Sequence, residues 1–170
     1  MHSAMKNKPI RSLGRSFCWA ARGIWTCILN ERNMRIHLTV ALYLAFLGPL
    51  FHLTLTQQCI ILLCVALVIA LEMVNTALET VINLCSPQYH VLAGLGKDIA
   101  AGAVLVAAFF SAVVGVRLFW KPHMFLQLGQ ALIHSPLAMA ALLAALLCSG
   151  VFIFAGPRAI SGWFRRAKKQ

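Results

Sequence analysis

The sequence predicts an all-α integral membrane protein, with an N-terminal amphipathic surface helix followed by a transmembrane helix bundle of four spans. Three observations predict it. Hydrophobic residues make up 61% of the 170-residue chain and charged residues only 11%, against roughly 45–50% and about 25% in a soluble domain. The mean hydropathy of +0.81 points the same way. The apolar residues are gathered into long runs and the basic residues flank those runs. A net charge of +11 distributed in this way is a topology signal and an anchor on anionic lipid, not a nucleic-acid surface.

Residues 1–35 read as a cytoplasmic basic segment. Within it, Arg11, Arg15 and Arg22 fall within about 40° of one another on a helix, and Leu13, Phe17, Ile24 and Ile28 recur with the same spacing on another face. The pattern predicts a helix over residues 10–30 lying on the membrane surface; an amphipathic helix packed on protein has the same signature. Four spans are expected at 36–54, 57–84, 98–120 and 136–156. Residues 36–120 then form a three-span core and 121–134 an external loop. Residues 135–156 hold the additional span, and 157–170 form a basic cytoplasmic tail. Seven Lys and Arg precede the first span, none fall at 52–57 and one at 85–97. Two lie at 117–134 and five follow the last span. The positive-inside rule places both termini in the cytoplasm.

The six cysteines include no CxxC pair, which argues against a zinc or redox site; they read as small apolar residues. A basic, amphipathic stretch precedes the first apolar run, so no cleavable signal peptide is expected. In the third span Ala101, Ala108, Ala112 and Gly115 lie close to one face. They allow close helix packing, either within the chain or between copies. The fourth span carries no ionisable group and reads as an anchor or packing element.

The second span poses the functional question. The chain has four acidic residues, and Glu72 and Glu79 both lie in an apolar run. Glu72, Asn75, Glu79 and Asn83 fall at about 0°, 300°, 340° and 20°, a single polar stripe. A carboxylate in hydrocarbon costs at least ~2.5–3.5 kcal/mol, which makes it a functional residue by default. A structural hydrogen-bonded acid and a proton-relay residue are the other roles it could fill. If the helix enters the outer leaflet near Gln58, Glu79 emerges at the cytoplasmic interface and Glu72 lies roughly 10 Å deeper. The stripe then joins water to lipid. The other two acids, Glu31 and Asp98, stand at the cytoplasmic starts of spans one and three. Together with Lys97 they suggest a site for a divalent cation and phosphate, since magnesium uses one or two carboxylates with phosphate oxygens and water. "GLGK" is not a Walker A loop: Val91 stands where the first glycine belongs and Asp98 follows the lysine. The six histidines lack metal-ligand spacing.

Three segments carry a family resemblance: "NERNMRIH" at 30–37, "ExxNTAxE" at 72–79 and "YHxLAGxGKDxAAGAVL" at 89–105. They resemble the small bacterial membrane lipid kinases, the family of diacylglycerol kinase and undecaprenol kinase, over about residues 10–120. The resemblance implies a surface helix with three spans in a bacterial cell membrane, and homotrimers with active sites between subunits. It also implies transfer of the ATP γ-phosphate to a lipid hydroxyl with magnesium. Glu72 would be the base at that hydroxyl, and Glu31 and Glu79 would hold the metal. Lys97 and Asp98 would place the phosphates and Asn75 would support the site. Trp19, Gln88, Tyr89 and His90 would line the nucleotide.

Three positions depart from the family. Asn83 stands where an aspartate is usual, Gln88 replaces a carboxylate of the diacylglycerol branch, and the fourth span is additional. "ERNMRIH", His37 above all, is closer to the undecaprenol branch. The expected reaction is therefore ATP-dependent phosphorylation of undecaprenol, with diacylglycerol as the alternative acceptor. From other classes, the expectations weighed are a small four-span transporter and an inactive structural homologue. No nucleic-acid partner is expected.

Overall fold

The computed structural model describes residues 13–159, except 87 and 89. Arg11, Tyr89 and the tail from residue 160 onward therefore lie outside the described residues. Six helices follow one another: α1 (Leu13–Asn30), α2 (Arg32–Leu50), α3 (Leu55–Cys85), α4 (Val91–Phe119), α5 (Pro122–His134) and α6 (Pro136–Phe154). There is no strand among the described residues.

Among the described residues three helices, α3, α4 and α6, are long and apolar enough to cross a membrane. The expected first span corresponds to α2, which is not one of them: Arg32, Arg35 and His37 occupy its first two turns and dilute an otherwise apolar helix. Residues 121–134, expected as an external loop, instead form α5. Pro122 stands in its first turn, where proline is preorganised for a helix. The third span also begins earlier than expected. His90 caps α4, its Nδ1 accepting from the Leu92 amide, so "GLGKD" lies inside the helix.

α3 and α4, joined by a short loop, form the most extensive helix pair, and α2 packs on α3. α1 lies across α2 and α3, and α6 packs on α2 and α5. At one end, Thr54 starts α3 with a reciprocal capping box to Gln57. There Phe51 is buried with Leu53 and Ile61. Its ring meets Phe119 and Phe125 edge to face at 5.2 and 5.1 Å, an arrangement that suits aromatic quadrupoles. Lys121 Nζ donates to the Phe51 carbonyl at 2.7 Å, closing the end of α2. Elsewhere the outer faces expose leucine, valine, isoleucine and phenylalanine along their whole length, as expected where lipid is the solvent.

The face that α4 buries carries Ala100, Val104 and Ala107. In the expected small-residue stripe, Ala101 and Ala112 are exposed while Ala108 and Gly115 are half-buried. Ala108, Ala112 and Gly115 line a cavity that α4 shares with α2 and α3. All six cysteines are free.

The surface of α6 buries no residue, yet the helix is joined to α2. Tyr43 and Ser149 oxygens meet at 2.8 Å. Because Ser149 Oγ donates to the Ala145 carbonyl, the Tyr43 hydroxyl is the donor in that pair. Tyr43→Phe should lower stability in mild detergent by about 0.6 kcal/mol, the average for such interhelical bonds in membranes. An unchanged denaturation midpoint would show that α6 is held by other contacts.

Candidate active site at the α1–α2–α3 junction

The polar stripe of α3 runs from buried to exposed. Glu72 is 2% exposed and Asn75 8%; Glu79 is half-buried and Asn83 exposed. Helical spacing stacks Asn75 and Glu79 one turn apart, and Asn75 Nδ2 donates to Glu79 Oε1 at 3.1 Å. The neighbouring hydroxyls are occupied within the helix: Thr76 Oγ1 donates to the Glu72 carbonyl and Thr80 Oγ1 to the Thr76 carbonyl.

Among the described residues two buried acceptors have no hydrogen-bond partner, Glu72 Oε2 and Asn75 Oδ1. An unsatisfied buried polar group costs about 1–3 kcal/mol, more when charged. Natural proteins keep such groups where a ligand or a catalytic role uses them. Both atoms accept and neither can donate in the ionised and amide forms. What they can take is a hydrogen-bond donor, such as a hydroxyl, or a cation.

Glu31 stands at the break between α1 and α2. Its amide donates to the Cys27 carbonyl at 2.8 Å, as though α1 continued, but its backbone is extended (φ −101°, ψ 121°) and it becomes the N-cap of α2. Its side chain makes no capping bond, so the carboxylate is available to the site. Glu31 and Glu79 both lie near enough to Glu72 for like-charge repulsion. Cys27, buried on α1, lies within electrostatic reach of Glu31 and Glu72. Burial pushes its thiol up, and the two carboxylates add to this. A neutral, buried thiol here is a packing group.

The remaining expected site residues sit farther out. Lys97, half-buried on α4, donates to Asn83 Oδ1 at 2.6 Å. Asp98 is exposed, about half a helical turn from the buried face of α4. Gln88 and His90 are exposed in and after the α3–α4 loop, where the Gln88 carbonyl accepts from Ser86. Trp19 lies on α1, 44% exposed. The single chain therefore brings Glu31, Glu72, Asn75 and Glu79 together, and separately pairs Lys97 with Asn83. Among the described residues, no hydrogen bond joins Asp98, Gln88 or His90 to that group. One buried residue escaped the sequence reading. Arg35 is 8% exposed and was counted only as a topology charge, although a cation a turn into an apolar helix is as costly as Glu72.

The model of the family described as prokaryotic diacylglycerol kinase matches residues 18–119. The chain belongs to this family. It is a lipid kinase, which uses ATP and acts on a membrane lipid. It is 38% identical to the undecaprenol kinase of Bacillus subtilis over 119 residues, 70% of this chain and 97% of that relative. It is also 40% identical to a diacylglycerol kinase of Synechocystis over 108 residues, 63% of this chain and 62% of that relative. With the diacylglycerol kinase of Escherichia coli the identity is 25% over 100 residues. The matched region ends at the close of α4, so α5 and α6 lie outside the family core.

Where the family usually has an aspartate, Asn83 accepts from Lys97. Asn83→Asp turns that bond into an exposed ion pair, worth at most about 1 kcal/mol. The half-saturating MgATP concentration should move by less than about fivefold, with the maximal rate unchanged. Steady-state rates against MgATP check this; a larger shift would mean that position 83 meets the nucleotide directly.

Proposed function

We propose that this kinase transfers the γ-phosphate of MgATP to the hydroxyl of undecaprenol, giving undecaprenyl phosphate. The observation that carries the proposal is the buried Glu72 carboxylate, whose Oε2 has no partner. A lipid hydroxyl supplies the missing donor. Glu72 accepts its proton as the oxygen attacks phosphorus, and Asn75 Oδ1 offers a second acceptor that orients the incoming group.

Glu31 and Glu79 fit a divalent cation. Two anionic side chains lie within electrostatic reach of a third, a repulsion that a metal would relieve. No group of three or more His, Cys, Asp or Glu converges as metal ligands among the described residues. A magnesium ion held by two carboxylates, with phosphate oxygens and water completing its shell, suits that donor set. When bound, it neutralises charge on the phosphates being transferred. Lys97 contributes a further cation at the exposed end, and the family resemblance assigns the nucleotide to Trp19, Gln88, Tyr89 and His90.

Asp98 is exposed, about half a helical turn from the residues that α4 buries. That placement supports a homotrimer in which a neighbouring copy completes the site. The basic flanks support cytoplasmic termini and α2 as the first span, its polar start lying at the interface. Membership in a kinase family accounts for the acidic stripe without the transporter alternative.

The choice of acceptor rests on "ERNMRIH" and on identity covering nearly all of the Bacillus subtilis undecaprenol kinase. His37 from that run lines an apolar cavity of about 280 Å³ between α2, α3 and α4, with Val40, Ile61, Val65 and Val68. The cavity reaches within one turn of Glu72 and suits a hydrocarbon chain. The 40% identity to a diacylglycerol kinase favours the second acceptor. Labelled ATP and magnesium, with undecaprenol and diacylglycerol at equal mole fraction in the same micelles, separate the two. The expected result is faster labelling of undecaprenol; faster labelling of diacylglycerol reverses the assignment.

A further inference from the structure

Arg35 links three helices. Its Nη1 donates to the Ile28 and Leu29 carbonyls at 3.1 and 3.4 Å, and its Nε to the Ile153 carbonyl at 3.1 Å. Those carbonyls belong to the last turns of α1 and α6. Each is a helix C-terminus, where unpaired carbonyls and the helix dipole favour a cation. The buried charge is thus held between two negative helix ends. Gly156, with φ 72°, turns the chain past α6 so closely that a Cβ there would lie 3.3 Å from Arg35 Cζ.

Arg35 stands one helical turn after Glu31, which forms the extended break between α1 and α2. Fixing the end of α1 to the first turn of α2 fixes the angle of that break. The position of the Glu31 carboxylate follows from it. The guanidinium serves both helix ends because its donors point in different directions from one plane. We propose that Arg35 is a positioning residue for Glu31, and that α6, outside the family core, steadies the site through it. Tyr43–Ser149 and Lys121–Phe51 hold the α5–α6 extension to the same helix, α2.

The proposal rests on the reading of Glu31 as a metal-holding residue. It is tested on the full-length protein by lipid phosphorylation against magnesium concentration at saturating ATP. The proteins compared are the parent, Glu31→Gln, Arg35→Lys, Gly156→Ala and the double variant Arg35→Lys with Glu31→Gln. Lysine keeps the charge but loses the fork. Alanine crowds the guanidinium from the α6 side, at a φ that disfavours a side chain. Arg35→Lys and Gly156→Ala should each raise the half-saturating magnesium concentration at least about twofold, the low end of coupling between neighbouring groups. Arg35→Lys should add nothing to Glu31→Gln in the double variant. If Arg35→Lys does not fold, Gly156→Ala decides. A loss of thermal stability with unchanged magnesium dependence, or full additivity in the double variant, overturns the proposal. If Glu31→Gln shifts the magnesium dependence and the other two do not, this proposal alone fails. If Glu31→Gln does not shift it, the metal role of Glu31 fails and the proposal falls with it.

Discussion

Glu72→Gln should lose about 10²–10⁴-fold in turnover while keeping its fold and its affinity for nucleotide. Glutamine has the shape of glutamate and can still accept a hydrogen bond, but it cannot take a proton from the attacking hydroxyl. Its side chain enters a position only 2% exposed, so a change in volume would be felt in packing; none is made. The charge it removes is one that Glu31 and Glu79 both repel, and one buried without a partner for Oε2. Thermal stability in detergent should therefore stay level or rise, the pattern of a site that trades stability for function. Lipid phosphorylation and binding of a fluorescent ATP analogue, measured on the same preparation, check both halves. Turnover within a few-fold of the parent would remove Glu72 from the chemistry.

Glu31→Gln and Glu79→Gln should raise the magnesium requirement, with the combined variant more affected than either alone. Each replaces a hard anionic oxygen with a neutral amide, which magnesium binds poorly. The two differ in what else they disturb. Glu79 accepts from Asn75, and a glutamine oxygen can still do so, leaving the Asn75 amide in place. Glu31 makes no side-chain capping bond, so its loss should not unravel the start of α2. Activity against magnesium at saturating ATP is the measurement. An unchanged half-saturating concentration in both single variants would contradict a metal role for this pair.

Much of this was legible in the sequence because membrane insertion makes polar residues conspicuous. Glu72, Asn75 and Glu79 stood out against hydrocarbon, and their spacing alone gave the stripe that α3 presents. The three-segment resemblance and the family match agree. What was not legible depended on where helices turn and meet. Residues 121–134 looked like a loop because two glutamines and two histidines interrupt the apolar pattern, yet a proline in the first turn and regular apolar spacing make α5. "GKD" looked like a helix start because the glycines before it hide a helix that His90 had already capped. Arg35 looked like one more topology charge, since nothing in its neighbourhood in sequence shows that the end of α6, 118 residues away, accepts its Nε hydrogen. Nor could spacing show that Lys97 would meet Asn83 across the α3–α4 loop.

The most direct test of the central claim, that the buried α3 stripe with Glu31 is a magnesium-dependent phosphoryl-transfer site for a lipid hydroxyl, is the destination of the ATP γ-phosphate. Full-length protein in micelles containing undecaprenol is given γ-labelled ATP, with magnesium and with the ion chelated, alongside Glu72→Gln. The predicted result is label in the lipid fraction for the parent with magnesium, and almost none when either the ion or the carboxylate is withdrawn. Label that reaches neither undecaprenol nor diacylglycerol, or that reaches lipid equally well without Glu72, would contradict it.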